Sequence, residues 1–182
     1  MVEVRFHGRG GQGAVMASKI LANAFVRTGR YGASFPMFGF ERRGAPVVAF
    51  GRFSDDPIRE KTQIYTPDIL VLLDPAQKNS PAVWEGFKAG GTLVANGTSA
   101  KLDVDFPMRS YGIIDANAVA MEEIGIPMPN TCMLGAFAAV TGLIDLDSIT
   151  AGLGDYFSGK QLAANIICAT RGFKEVKKIE NP

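Results

Sequence analysis

Six residues near the start of the chain, Gly8-Arg9-Gly10-Gly11-Gln12-Gly13, combine types and a spacing that suit the binding of an anion. Gly8, Gly10 and Gly13 satisfy the G-x-G-x-x-G pattern of a dinucleotide loop. Glycine permits a tight turn and lets backbone N–H groups close on a pyrophosphate, and the N-terminus of a following helix adds partial positive charge. Arg9 adds a mobile charged donor. The acid that would hold a ribose hydroxyl about 20 positions further on is missing between Thr28 and Phe40, so a standard NAD site is not expected. Two readings of the loop stay open: an anion cradle, and a tight strand-to-helix turn packed on a neighbouring subunit.

A second cluster, Phe38-Gly39-Phe40-Glu41-Arg42-Arg43-Gly44-Ala45-Pro46, sets Arg42 and Arg43 between glycine turns with aromatics before them. Each guanidinium presents a planar fork of donors that suits phosphate or carboxylate. The same stretch suits an interface, with Glu41 pairing an arginine and Phe35, Phe38 and Phe40 anchored on a partner, and the aromatics favour that reading. In a third cluster, Pro127-Met128-Pro129-Asn130-Thr131-Cys132-Met133-Leu134-Gly135, Asn130 or Thr131 stands as the N-cap of an apolar helix. Asp74-Pro75 falls at the end of an apolar run, where an open α/β sheet often places ligand residues. A helix cap or a turn explains Asp74 as well.

Composition narrows the function classes. The chain has 182 residues, 47% apolar and 20% charged, which fits one folded domain spanning 1–182. Nineteen basic and eighteen acidic side chains leave a formal charge of +1, without the net electrostatic footprint of a nucleic-acid or membrane-surface binder. No apolar stretch reaches the roughly 20 residues of a bilayer span. Met1 to His7 alternate instead of forming a secretory leader, so a cytoplasmic location is expected. Cys132 and Cys168 stand alone, without a Cys-x-x-Cys pair, and His7 is the single histidine. These thiols cannot assemble an iron–sulfur cluster or a zinc site, and both are expected as small buried hydrophobes.

The elements that must position these clusters alternate along the chain. Val2, Val4 and Phe6 alternate with polar residues as a first strand, and the apolar spacing from Gln12 to about Thr28 predicts a helix ending at Gly29. Tyr31 to Pro46 is expected as a long packed loop. Strands are expected over Val47–Phe53, Ile69–Leu73, Thr92–Ala95 and Gly112–Ile114, the second of them apolar on both faces like a central parallel strand. Helices are expected over Ser80–Lys88, Ala116–Gly125, Thr131–Val140, Asp147–Phe157 and Leu162–Thr170, with Lys174 to Lys178 as a solvated end. The pattern predicts an α/β fold: an open, Rossmann-like, mostly parallel sheet flanked by helices, with a helical C-terminal part.

Taken together, three stretches resemble the gamma subunit, or gamma domain, of the 2-oxoacid:ferredoxin oxidoreductases, the pyruvate:ferredoxin oxidoreductase type most closely. They are Arg5-Phe6-His7-Gly8-Arg9-Gly10-Gly11-Gln12-Gly13-Ala14-Val15, Phe38-Gly39-Phe40-Glu41-Arg42-Arg43-Gly44-Ala45-Pro46-Val47 and Asn130-Thr131-Cys132-Met133-Leu134-Gly135-Ala136-Phe137. The resemblance extends to about Leu146. It implies a complex that oxidatively decarboxylates a 2-oxoacid to an acyl-coenzyme A and passes electrons through iron–sulfur clusters to ferredoxin or a similar acceptor. It also implies alpha, beta and delta-type partner subunits that hold thiamine diphosphate, magnesium and the clusters. The gamma component then packs beside the active centre and helps receive coenzyme A, a co-substrate at its surface. Its candidate contacts are Gly8, Arg9, Gly10, Gly11, Gln12, Gly13, Arg42, Arg43, Asn130 and Thr131, with no catalytic residue and no metal assigned to this chain. Two other functions compete with this one. The first is a free-standing nucleotide-binding oxidoreductase, which the missing ribose-binding acid weakens. The second is a structural subunit that touches no ligand. Pyruvate, aryl and branched-chain 2-oxoacids all remain open as substrates.

The full chain purified alone should contain no stoichiometric iron and should not reduce an acceptor with any 2-oxoacid, because its thiols cannot form a cluster. Elemental analysis and an acceptor-reduction assay check this, and activity should return when the partner chains are added.

Overall fold

The alternation at the start of the chain folds as β1 (Val2–Arg9), which turns Val4 and Phe6 to one face and Arg5 and His7 to the other, all four buried. The computed structural model describes residues 1–37, 44–99 and 104–180. The remaining strands are β2 (Tyr31–Pro36), β3 (Pro46–Ser54), β4 (Ile69–Leu72), β5 (Thr92–Asn96), β6 (Ser110–Ile114) and β7 (Lys177–Glu180). The helices are α1 (Ala14–Arg27), α2 (Pro81–Trp84), α3 (Ala116–Glu123), α4 (Asn130–Thr141), α5 (Leu146–Leu153) and α6 (Gly159–Glu175).

One sheet runs in the order β2-β3-β1-β4-β5-β6-β7. Its centre, β1-β4-β5-β6, is parallel. β3 is antiparallel to β1, β2 to β3, and β7 to β6. Two reversals bring β2 back to the direction of the centre, so five of the seven strands point the same way. This is the expected open, mostly parallel α/β sheet. Val4, Phe6, Val71, Val94 and Ile114 meet the larger core formed with α1, α3, α4, α5 and α6. On the opposite face Leu70, Leu72, Leu93, Ala95 and Ile113 lie under α2 and an aromatic cluster of Trp84, Phe87 and Phe106. β4 is thus apolar on both sides because it is covered on both sides.

Three segments depart from the sequence expectation. Residues 31–36, expected within a loop, form β2. Its ladder comes from β3, and Gly32 lets it approach α1 so closely that a Cβ would stand 2.5 Å from the Ala22 carbonyl oxygen. The helix expected over Ser80–Lys88 is confined to Pro81–Trp84. Gly86, at φ 69°, passes where a Cβ would lie 1.9 Å from the Tyr65 carbonyl oxygen, a turn that breaks the helix. Lys174 to Lys178, expected as a solvated end, are exposed apart from Val176, but they are regular: they finish α6 and enter β7, an edge strand. Charge on an edge strand discourages further pairing.

α4 and α6 cross at two glycines. A Cβ on Gly135 would lie 1.8 Å from the Ala169 carbonyl oxygen, and one on Gly172 would lie 2.0 Å from that of Cys132. Beside this contact Thr131 Oγ1 donates to Asn165 Oδ1 at 2.9 Å, both residues buried. Cys132 and Cys168 are also buried, and burial pushes their thiols up to about 12 and about 11. They pack as protonated hydrophobes, as the sequence suggests. Gly172→Ala should force the two helices apart and destabilise the chain by at least about 1–3 kcal/mol, measured as a lowered urea midpoint. Gly125→Ala meets no atom of the described residues and loses only its favourable left-handed backbone, so it should cost less.

Candidate functional site

Between the end of β1 and the start of α1 the glycine loop closes largely on itself. Gln12 N–H donates to the Arg9 carbonyl at 3.0 Å, and Gln12 Oε1 accepts from Arg9 N–H at 2.8 Å. Gly13 takes the N-cap position of α1 at φ 78°, with no side-chain cap and no acid in the first turn. The partial positive charge of that terminus is therefore not offset by a side chain of its own helix. Gly11, at φ 102°, is exposed at the loop's tip, with no described atom within 4 Å of where a side chain would start.

Segments distant in sequence meet at this loop. Gly10 N–H donates to the Ala45 carbonyl at 2.9 Å, and Gly44 N–H donates back to the Gly10 carbonyl at 3.2 Å. The end of the second cluster is thus paired with the first. The third arrives through Asn130: a Cβ on Gly13 would lie 2.5 Å from Asn130 Nδ2. Asn130 is fully buried, its Oδ1 accepts Thr131 N–H at 2.9 Å, and its Nδ2 has no hydrogen-bond partner among the described residues. The N-cap of α4 is Pro129, one residue ahead of expectation, and no side chain bonds there as a cap. Asn130 instead serves the next residue's N–H, while Thr131 is turned toward α6 by its bond to Asn165. Arg42 and Arg43 lie outside the described residues, as do Phe38, Phe40 and Glu41. Phe35 packs within the chain, 5.3 Å from the Phe50 ring and beneath the Arg52 guanidinium.

The loop borders a topological switch point. β1 and β4 are parallel neighbours, but the chain leaves β1 toward the α1 face and leaves β4 toward the α2 face, opening a crevice at their carboxyl ends. Side chains bridge this crevice. Arg9 Nε donates to Asp74 Oδ2, Arg9 Nη1 donates to the Gly44 carbonyl at 3.2 Å, and Gln77 Nε2 donates to the Gly8 carbonyl. Asp74 Oδ1 also accepts Ala76 N–H at 3.2 Å, capping a short 3-10 turn over Pro75–Asn79. Asp74 therefore both caps a turn and stands at the ligand edge of the sheet. Asn96, at the end of β5, ties the Leu73 carbonyl to the first N–H of α3 through its side chain. Sequence reasoning passed over Gln77 and Asn96. A polar residue ending an apolar strand was the available signal for Asn96, whereas Gln77 gave none.

Beneath the loop, on the α2 face of β1, Arg5 Nε donates to His7 Nε2 at 2.9 Å and Arg5 Nη2 donates to the Val83 and Glu85 carbonyls at 2.7 and 2.8 Å. Burial, then the Arg5 charge, pushes His7 down to about 3. His7 is neutral near pH 7 and supplies no acidic proton there. Among the described residues no group of His, Cys, Asp and Glu could hold a metal ion, and no helix is long and apolar enough to cross a membrane.

The fold and loop define an α/β subunit with a mostly parallel sheet and a glycine-rich strand-to-helix turn. The chain belongs to the pyruvate ferredoxin/flavodoxin oxidoreductase family, whose model matches residues 3–175, and within it to the gamma subunits of the 2-oxoacid:ferredoxin oxidoreductases. It is 45% identical over 179 residues to the pyruvate/ketoisovalerate oxidoreductases common subunit gamma of Thermococcus kodakarensis, covering 96% of this chain and 97% of that one. It is 49% identical over 179 residues to the gamma subunit of NADH-dependent phenylglyoxylate dehydrogenase of Aromatoleum evansii, covering 97% and 94%. The crystal structure of pyruvate oxidoreductase subunit PORC from Thermotoga maritima superposes with a TM-score of 0.88 at 36% identity over 98% of each chain.

His7 gives the fold a pH signature. Its folded value, about 3, lies below the ordinary 6.5, so the unfolded chain binds the extra proton. The stabilisation is complete above pH 6.5 and is lost progressively as pH falls from there toward about 3. His7→Gln, which keeps an acceptor for Arg5, should flatten this part of a stability-against-pH profile measured by urea unfolding.

Proposed function

We propose that this gamma subunit receives coenzyme A at the Gly8–Gly13 loop and supports assembly of a complex that oxidatively decarboxylates a 2-oxoacid. The observation that carries this reading is the uncapped N-terminus of α1, with Gly11 exposed at the tip of the loop and Arg9 at its edge. Backbone N–H groups with a nearby guanidinium suit phosphate oxygens. Arg42 and Arg43, just before Gly44 in sequence, are assigned to the same site in this reading. Asn130 holds the turn from below, and Thr131 secures Asn130's helix to α6.

Alpha, beta and delta-type subunits carry thiamine diphosphate, magnesium and iron–sulfur clusters in this reading, and electrons leave to ferredoxin or a similar acceptor in the cytoplasm. Thiamine diphosphate, when bound by those partners, stabilises the carbanion of decarboxylation. This chain's residues bind and orient the co-substrate by its phosphates and leave its thiol free to accept the acyl group. The name of the Thermococcus kodakarensis relative, a subunit common to pyruvate and ketoisovalerate oxidoreductases, supports a gamma chain that does not choose the 2-oxoacid. A free-standing dinucleotide enzyme is disfavoured because no acid stands between Thr28 and Phe40 to hold a ribose hydroxyl.

Arg9→Ala in the assembled complex should raise the apparent KM for coenzyme A by roughly tenfold or more, the loss of one charge-assisted bond of about 1.5–3 kcal/mol. Acceptor reduction by the 2-oxoacid without coenzyme A should be nearly unchanged. Steady-state kinetics on complexes shown to contain every subunit separate the outcomes. Loss of both activities would move Arg9 to the thiamine centre, loss of assembly would favour a structural role, and an unchanged KM would remove the coenzyme A assignment.

A further inference from the structure

We propose that Asp74 determines the selectivity of the glycine loop: its carboxylate holds and neutralises Arg9, so the loop turns away small free phosphates and admits phosphate only as part of a larger ligand. The inference rests on the reading of this loop as a phosphate site. It adds a residue from another strand and a reason for its charge.

The two halves of the pair are unequally placed. The Asp74 side chain is 9% exposed and that of Arg9 is 44% exposed, so a ligand reaches the cation while the anion stays fixed behind it. Asp74 is held from its other oxygen by Ala76 N–H, at the carboxyl end of the strand beside β1. Arg9 cannot swing outward without leaving a carboxylate in the wall of the crevice. Its Nη1 is also occupied by the Gly44 carbonyl, which leaves Nη2 as the guanidinium nitrogen without a partner among the described residues.

A multivalent anion seated at Arg9 would therefore face a nearby like charge and either compete with Asp74 or accept a single remaining donor. Inorganic pyrophosphate has only its charge with which to compensate. A ligand that carries phosphates on an extended organic body has further contacts and can meet the cost of parting the pair. Discrimination by a built-in repulsive group is the general device by which a site refuses a common competitor.

The test uses inorganic pyrophosphate as the probe, titrated calorimetrically into the full chain, with coenzyme A saturation read separately on the assembled complex. Asp74→Asn retains an acceptor for Ala76 N–H and removes the charge. It should bind pyrophosphate at least tenfold more tightly than the unsubstituted chain, with a steeper loss of affinity as salt is raised. The gain should vanish in the Arg9→Ala, Asp74→Asn double variant. An Asp74→Asn chain with unchanged or weaker pyrophosphate binding overturns the proposal, and so does a gain that persists without Arg9. If Asp74→Asn does not fold, Asp74→Ser keeps an acceptor and gives the same comparison. A tenfold pyrophosphate gain with coenzyme A saturation indifferent to Arg9 upholds the pair's selectivity and overturns the coenzyme A reading. Coenzyme A saturation that depends on Arg9, without the pyrophosphate gain, does the reverse.

Discussion

At the turn from β1 into α1 the backbone of Gly13 lies so close to the Asn130 amide that there is no room for a Cβ, and its φ of 78° is one that side chains rarely adopt. Sterics and backbone conformation select the same residue independently. The consequences spread from there. Gly13 starts α1, α1 covers β1, β2 and β3, and Asn130 starts α4, which covers β5 and β6. One close approach thus sets the two helices that roof the sheet, and with them the height of the glycine loop above its edge. α4 is in turn fixed to α6 by the reciprocal glycine contacts at Gly135 and Gly172, so the loop rests on a rigid stack of helices. A displaced loop would have to carry that stack with it.

The charges fall into groups that do different work. Arg52 is buried and bonds Glu3 together with the Glu60 and Thr62 carbonyls, tying the chain after β3 back to the sheet. Arg5 is buried too and relies on carbonyls and a neutral imidazole in place of a carboxylate. Removing either would leave buried acceptors unpaired, the costly direction of change for a hydrogen-bond network. Arg27–Asp155 and Arg171 with Glu122 and Glu175 lie nearer the surface, where an ion pair contributes little net stability. Arg9–Asp74 stands between these groups, with one partner shielded and the other open. That asymmetry suits a contact that can answer to a ligand.

Much of this arrangement is legible in the sequence because it is local. The alternation of Val2 to His7, the glycines after it and the apolar spacing of α1 specify strand, turn and helix within 30 residues, and Ile69 to Leu72 announce a strand covered on both faces. β2 is not legible. Tyr31-Gly32-Ala33-Ser34-Phe35-Pro36 has little strand character of its own, and its conformation comes from β3 and from the room Gly32 leaves beside α1. α2 is cut short for a similar reason, since the Tyr65 backbone that crosses Gly86 is 21 positions away. The meeting of the glycine loop with Asn130 could be inferred from the family resemblance but not from spacing, because Asn130 lies 117 positions beyond Gly13. Asp74 shows both sides of the matter. Its place at a strand end is readable, whereas its pairing with Arg9 depends on β1 and β4 becoming neighbours.

Family membership and geometry together explain why such a chain can be small and poor in catalytic side chains. Its histidine is buried and held neutral, and its two thiols are buried and protonated. What it offers at its surface is a tight glycine turn at the uncapped start of α1, beside a cation whose charge is locally balanced. On the coenzyme A reading proposed above, such a surface meets phosphate and not the carbon skeleton of the 2-oxoacid. A subunit in that role is free to keep one fold while the acyl group changes. The constraint on its sequence then falls on the glycines and the buried asparagine that hold the turn, more than on any reactive group.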